Sequence, residues 1–316
     1  MKKNFLKYIF SIDNNSTNRT IIYFLGFKIR HIKSSVLNRK SEYIKLNCPV
    51  SEIPKATGPL RQIQLADLKL MEIFNKLCEN HGLTYWLDFG NLLGAVRHNG
   101  FIPWDDDVDL SMIRDDYEKF IELFKNGIDD YPDLYLEFNN NGKNKCFVKL
   151  LHKKIPNIQI DIFPYDFYYK STNAEEKQNL TKLMKSYMNK WYYKALFLFF
   201  KTQHGLMRKR FKNITNKKIL QNNKVDISSK PSLFYGIDYP HQHKQLVFDY
   251  DTIFPLKKVQ FEDKEFLAPN NIDKLLTDEF GNYMSLPNDC YPRHASENEQ
   301  SKDITEEIER FINLGV

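Results

Sequence analysis

Between Leu83 and Met112 the chain reads LTYWLDFGNLLGAVRHNGFIPWDDDVDLSM, and this stretch limits the folds open to the rest. Leu83-Thr84-Tyr85-Trp86-Leu87 is short, aromatic and apolar between glycines, the pattern of a buried strand. Gly90 to Arg97 reads as a turn opening a short helix, which Asn99-Gly100 and Pro103 break. From Asp107 to Met112 polar and apolar residues alternate with period two. Asp107 and Asp109 then share one face of a second strand, with Val108 and Leu110 packed on the other. Strand, glycine turn, helix and acid-bearing strand follow one another in this stretch, the order of an α/β chain.

The flanking segments extend that pattern. From Gln64 to Asn80 the apolar residues Leu65, Leu68, Met71, Ile73, Phe74 and Leu77 recur at helical spacing, with Gly82 as the stop. Asp115–Phe124 is a second amphipathic helix. Strands are expected at Leu134–Phe138, Cys146–Leu151 and Ile158–Phe163, a hairpin at Phe261–Ala268, and a helix at Asn271–Phe280 stopped by Gly281. Residues 225–250 read as irregular.

Charge divides the chain unevenly. Residues 1–40 hold nine Lys or Arg against the single acid Asp13, a local charge of +8, whereas the whole chain carries +6. The remainder is slightly acidic, which argues against a nucleic-acid-binding fold and for a local anionic partner such as a membrane surface. Residues 1–47 are therefore expected to be an appended basic segment that lies on anionic lipid or is simply solvated. The catalytic module is expected over 48–316, beginning in earnest near Leu60. Within it, residues 175–224 carry thirteen Lys or Arg and two acids around the aromatic block Trp191–Phe200. This reads as a basic helical insert, either a core helix with a lysine face or a surface for a membrane or lipid-linked acceptor. The four cysteines form no CxxC pair, so neither a zinc site nor a disulfide framework is indicated, and a reducing compartment fits. No run approaches the length of a spanning helix.

Asp105, Asp107 and Asp109, following Pro103-Trp104, would repel one another if crowded on one face, and a hard divalent cation with oxygen ligands removes that penalty. Several chemistries use such acids. An EF-hand loop starting at Asp105 needs Gly at 110 and Glu at 116, where this chain has Leu110 and Asp116. An aspartyl-phosphate phosphatase normally places DxD after an apolar strand rather than after Pro103-Trp104-Asp105-Asp106. A glycosyltransferase could use Asp105-Asp106-Asp107 as a DxD motif for Mn²⁺ and a sugar diphosphate. A non-catalytic metal-binding or scaffold protein would retain the acids without turnover.

The wider arrangement narrows these. A strand, Gly90-Asn91 at a helix start, paired Asp107 and Asp109 on a second strand, and Asp161 on another is the layout of the nucleotidyltransferase fold. More closely, WLDFGNLLGAVRHNGFIPWDDDVDLSM resembles the LicD family of phosphotransferases, with Asp88, Gly90, Leu92, Leu93, Gly94, Arg97, Pro103, Trp104, Asp105, Asp106, Asp107 and Asp109 matching in order. Gln159–Pro164 is similar to a second family block, and Phe266–Pro269 with Phe280–Pro287 to a third. Asn91 replaces the usual Thr or Ser, and Phe280-Gly281-Asn282 replaces Tyr-Gly-Asp. The resemblance covers about residues 60–170 and 255–295.

The resemblance implies an α/β (α+β) nucleotidyltransferase-like mixed sheet flanked by helices. It implies transfer of a phospho-alcohol, phosphocholine from CDP-choline above all, onto a sugar hydroxyl of a surface glycan or lipid-linked precursor. Mg²⁺, or Mn²⁺ in its place, would be held by Asp105, Asp107 and Asp109. Asp161 would complete a two-metal arrangement or take the acceptor proton. Gly90 and Asn91 would meet phosphate at the helix start. Arg97 would pair with phosphate or else with Asp88, and Lys149 is a further phosphate candidate. Trp104 would stack on the base or anchor its turn, and Arg293 and His294 match a basic pair that closes the family's C-terminal motif. With no nucleic acid as partner, the expected location is the cytoplasm, at the inner face of the cytoplasmic membrane.

Overall fold

The computed structural model describes residues 50, 53–138, 147–168, 228, 230–236, 246–286 and 302–315, together with the backbone of strands at 10–15, 19–24, 27–33 and 219–220. The basic N-terminal segment contains β1 (Phe10–Asn15), β2 (Arg19–Phe24) and β3 (Phe27–Lys33), paired as an antiparallel meander. Among the described residues no helix is long and apolar enough to cross a membrane.

Helix α1 (Gly58–His81) starts earlier than its apolar periodicity suggests, because Pro59 suits a first turn where no amide donor is needed. It ends at Gly82, whose left-handed φ of 61° lets its N–H reach the carbonyls of Cys78 and Glu79. Its buried face, including Leu70, Met71, Ile73 and Phe74, lies against the sheet and against α6 (Lys302–Ile312). The helical spacing of Ile304, Ile308 and Phe311 in α6 lies beyond the turn-rich tail and adds a helix to those expected.

Among the described residues the central sheet has eight strands. Its path runs β11 (Val247–Phe248), β10 (Ser232–Tyr235), β8 (Gln159–Tyr168), β5 (Val108–Ile113) and β4 (Tyr85–Leu87). The hairpin of β6 (Leu134–Phe138) and β7 (Val148–His152) joins through β7 to the first half of β8, and β9 (Ile219–Leu220) pairs with its end. The β5–β8 pair is parallel and the other described pairs of the sheet are antiparallel. This is the mixed sheet flanked by helices that the family resemblance implies.

Two expectations need correction or restriction. Residues 225–250 are not uniformly irregular, since Ser232–Tyr235 forms a strand buried along its whole length. Four residues buried on both faces show no alternation, so period two could not reveal them. Of the insert 175–224, only Ile219–Leu220 lies within the described residues, and there it is strand.

The core is aromatic where the strands meet. Trp86 is fully buried, edge-on to Tyr165 at 5.0 Å and to Phe254 at 5.9 Å, so it serves packing. Phe254 itself ends the single turn of α4 (Tyr250–Ile253). Helix α3 (Arg114–Leu123) follows β5 directly, and Arg114 grips Asp166 of β8 with two 2.8 Å hydrogen bonds. The hairpin of β12 (Lys257–Phe261) and β13 (Lys264–Ala268) is held by Glu262 at its turn. The Glu262 N–H donates to the Asn99 carbonyl, and its carboxylate accepts from Arg61, Lys55 and the Phe101 N–H. The loop before the acidic stretch is thereby tied to a segment far along the chain.

Candidate active site

The parallel pairing of β5 and β8 places Asp109 directly opposite Asp161, and the antiparallel pairing of β8 and β7 places Lys149 opposite Asp161. Cross-strand neighbours point to the same face, so Asp109, Asp161 and Lys149 form one row across three strands. The Lys149 ammonium lies 2.7 Å from Asp161 Oδ1 and also donates to Gln159. On the opposite face the same strands present Val108, Leu110, Ile160, Ile162, Val148 and Leu150, all fully buried. Alternation thus sends carboxylates one way and the core the other.

Helix α2 (Phe89–His98) begins beside this row. Asp88 caps it, accepting from the Phe89 N–H at 3.0 Å, while Ser111 and Tyr165 donate to its other oxygen at 2.6 and 2.9 Å. Burial nevertheless pushes the Asp88 carboxyl up to about 6, against the lowering effect of those three donors. Phe89 adopts φ of +41°, an unusual conformation for a bulky side chain at a helix start. Gly90 follows. A Cβ built there would stand 2.8 Å from Asp105 Oδ2 and 3.7 Å from Asp109 Oδ2, so the bare Cα is what admits the acids. Asn91 accepts from the Asp109 N–H at 2.5 Å, which fixes its amide orientation and leaves the buried Nδ2 without a hydrogen-bond partner among the described residues.

The third part is the loop ahead of β5. Asp105, Asp106 and Asp107 each present an oxygen within 4.8 Å of the others. The tightest trio therefore includes buried Asp106, where sequence reasoning points to Asp105, Asp107 and Asp109. Asp109 joins them electrostatically: burial is the main cause that raises its carboxyl well above the usual range, and Asp107, Asp161, Asp105 and Asp88 add to it. The same holds for an acid outside the sequence motifs, Asp67 on α1, raised by burial and then by Asp107, Asp106 and Asp105.

These residues fit a hard divalent cation. The donor set is carboxylate oxygen throughout, the like charges gain from a cation between them, and Gly90 keeps clear the space that a side chain would fill. The buried Asn91 Nδ2 is left with its hydrogens unused among the described residues, in the first turn of a helix whose N-terminus favours anions.

Other expected residues fall differently. Arg97 is buried, its Nε donating to His98 and a terminal nitrogen to the Tyr283 carbonyl at 3.0 Å, while the Asp88 carboxylate is engaged by Phe89, Ser111 and Tyr165. It ties α2 to the segment after α5 (Ile272–Phe280). Trp104 packs against the core beside His98, which anchors its turn. Gly94 lies against the Gly100 carbonyl, with which a Cβ would collide, so its role is close backbone packing. Arg293 and His294 lie outside the described residues. Besides Asp67, sequence reasoning misses Gln64 and Glu279. Glu279 on α5 accepts from Tyr235, and its carboxyl is raised by burial and by Asp88. A polar residue on an otherwise apolar helix face is the signal for Gln64 and Asp67.

Comparison with known proteins shows the family. Residues 82–203 match the family model described as LicD/FKTN/FKRP, nucleotidyltransferase domain. The chain is 30% identical over 264 residues to the lipopolysaccharide cholinephosphotransferase LicD of Haemophilus influenzae, covering 75% of this chain and 97% of that protein. A 38-residue stretch is 55% identical to the human ribitol 5-phosphate transferase FKRP, covering 12% of this chain and 8% of that one. With a relative matched across nearly its whole length and the acid-bearing strands in place, the chain belongs to the LicD/FKTN/FKRP nucleotidyltransferase-domain family.

Proposed function

We propose that the protein is a Mg²⁺-dependent phosphotransferase that moves a phospho-alcohol, phosphocholine from CDP-choline, onto a sugar hydroxyl of a surface glycan precursor, such as lipopolysaccharide, capsule or teichoic acid, and releases CMP. The observation that carries this reading is the row of Asp109 and Asp161 on adjacent parallel strands, with Asp109 close to Gly90 in the first turn of α2. The name of the Haemophilus relative supports the choice of choline.

Asp105, Asp107 and Asp109 would hold the cation, with Asp106 beside them and Asp161 across the row. A cation held by these residues would supply charge neutralisation for the diphosphate and for the departing CMP. The chain's own residues do the rest. The amides of Gly90 and Asn91, at the start of α2, receive the donor's phosphate oxygens. Asp161 accepts the proton of the attacking hydroxyl, and Lys149 orients the Asp161 carboxylate. The hydroxyl oxygen bonds to the phosphorus that bears the alcohol, the bond from that phosphorus to the bridging oxygen breaks, and CMP leaves with that oxygen. Positioning and charge neutralisation supply the rate, as phosphoryl transfer requires. Work at the inner face of the cytoplasmic membrane fits the basic residues of the N-terminal segment.

Donor competition tests the reading. Purified protein with Mg²⁺ is incubated with CDP-choline, CDP-ribitol, CDP-glycerol and UDP-sugars, and the nucleotide product is identified. CMP released from CDP-choline is the expected result. Release of UDP alone would replace the reading with a metal-dependent glycosyltransferase, and no release from any donor would indicate a binding protein.

A further inference from the structure

Helix α1 precedes the segment matched by the family model, yet two of its buried polar residues reach both halves of the site. Gln64 is 1% exposed and donates through Nε2 to the Ile102 carbonyl at 3.2 Å and the Asp105 carbonyl at 2.9 Å. Its Oε1 accepts from Arg61, so the amide is held in one orientation with both ends used. Asp67, one turn further on, is fully buried and accepts the Gln159 N–H at 2.9 Å. Gln159 opens β8, two residues before Asp161 and pointing to the same face.

We propose that Gln64 and Asp67 are positioning residues. They hold the acids of the loop at 102–107 and the strand that carries Asp161 at a fixed separation, with α1 as the rigid spacer between them.

Burying a carboxylate near Asp105, Asp106 and Asp107 works against stability, and its second oxygen has no hydrogen-bond partner among the described residues. An apolar residue would pack that face of α1 at lower cost. A locally unfavourable choice beside a site is accounted for by what it holds in place. Gln64 restrains the backbone at Asp105, whose carboxylate lies against Gly90, and Asp67 restrains the backbone leading to Asp161. Neither residue needs to touch a ligand.

The inference rests on the metal reading above, so the experiment separates the two. Mn²⁺ binding to the full-length protein is measured by the loss of the free-ion electron paramagnetic resonance signal, with circular dichroism and thermal melts on every variant. Q64L preserves volume while removing both donors, D67A removes the acceptor, and D67N keeps an acceptor for the Gln159 N–H. Q64L and D67A are expected to fold and to bind Mn²⁺ about 10–100-fold more weakly, the usual effect of losing a group that orients metal ligands. D67N is expected to bind as the wild type does. Wild-type affinity in folded Q64L and D67A overturns the positioning role while leaving the metal reading intact. D67N as weak as D67A also overturns it, since charge rather than orientation would then matter. Wild-type protein that binds no Mn²⁺ overturns the metal reading and this one together. If D67A fails to fold, Q64L decides.

Discussion

Asp109 and Asp161 sit directly opposite each other across the parallel strand pair of the central sheet, on strands separated by a helix and a hairpin. The lysine that pairs with Asp161 stands on its far side, away from Asp109. Two carboxylates in that relation repel, and the repulsion becomes attraction for a divalent cation. Their alignment depends on the register of β5 and β8, which the fully buried Val108, Leu110, Ile160 and Ile162 enforce, because a slip by one residue would turn every acid into the core.

Asp109→Asn removes one of the mutually repelling charges and leaves the fold intact. The expected result is loss of CMP release to background together with a melting temperature, without added metal, at or above that of the wild type. Mg²⁺ should raise the wild-type melting temperature, by linkage, and leave that of the variant unmoved. A variant with normal turnover would remove Asp109 from the site.

Two glycines on α2 should respond oppositely to the same substitution. In Gly90→Ala the new methyl group meets the end of the Asp105 side chain, so the chain folds and the carboxylate shifts. A displacement of that kind costs about 100-fold in turnover. In Gly94→Ala the methyl group meets the Gly100 backbone carbonyl, which cannot swing aside, so stability falls. Thermal melts and CMP assays on both proteins distinguish the two effects.

His98 sets a pH dependence of stability. Burial, aided by the Arg97 charge, lowers it from 6.5 to about 4, and its Nε2 accepts from Arg97 as a neutral ring must. Above pH 6.5 the ring is neutral in both folded and unfolded chains. As pH falls from 6.5 toward 4, the unfolded chain takes up a proton that the folded one refuses, so stability is lost across that window. His98→Asn should flatten the fall in melting temperature between those limits, and identical profiles for the two proteins would contradict it.

Deletion of residues 1–47 should weaken binding to anionic vesicles and leave release of CMP in solution unchanged. The removed segment carries the chain's whole basic excess, the remainder being slightly acidic, and the carboxylate row lies wholly beyond it. Co-sedimentation with liposomes of defined phosphatidylserine content measures the first, and a nucleotide assay the second. Unchanged sedimentation would exclude this segment as the membrane contact.

The sequence by itself determined the local half of this protein. Alternation placed Asp109 on the face away from Val108 and Leu110, although Asp107 falls in the loop just before that strand, Gly82 and Asn99 ended their helices in left-handed turns, and the run from Asp88 to Asp109 identified the family. Those features are set by periods of two and 3.6 residues and by backbone conformations that few residues adopt, so they are legible within a short window. Only the tertiary structure decided that Asn91 caps the Asp109 amide, that Lys149 neutralises Asp161, that Arg97 turns to the Tyr283 carbonyl, and that Gln64 and Asp67 bond from α1 to the two halves of the site. Each depends on strand register and on the packing of distant segments. Those are chosen by how much apolar surface the whole chain buries, a property no short window contains.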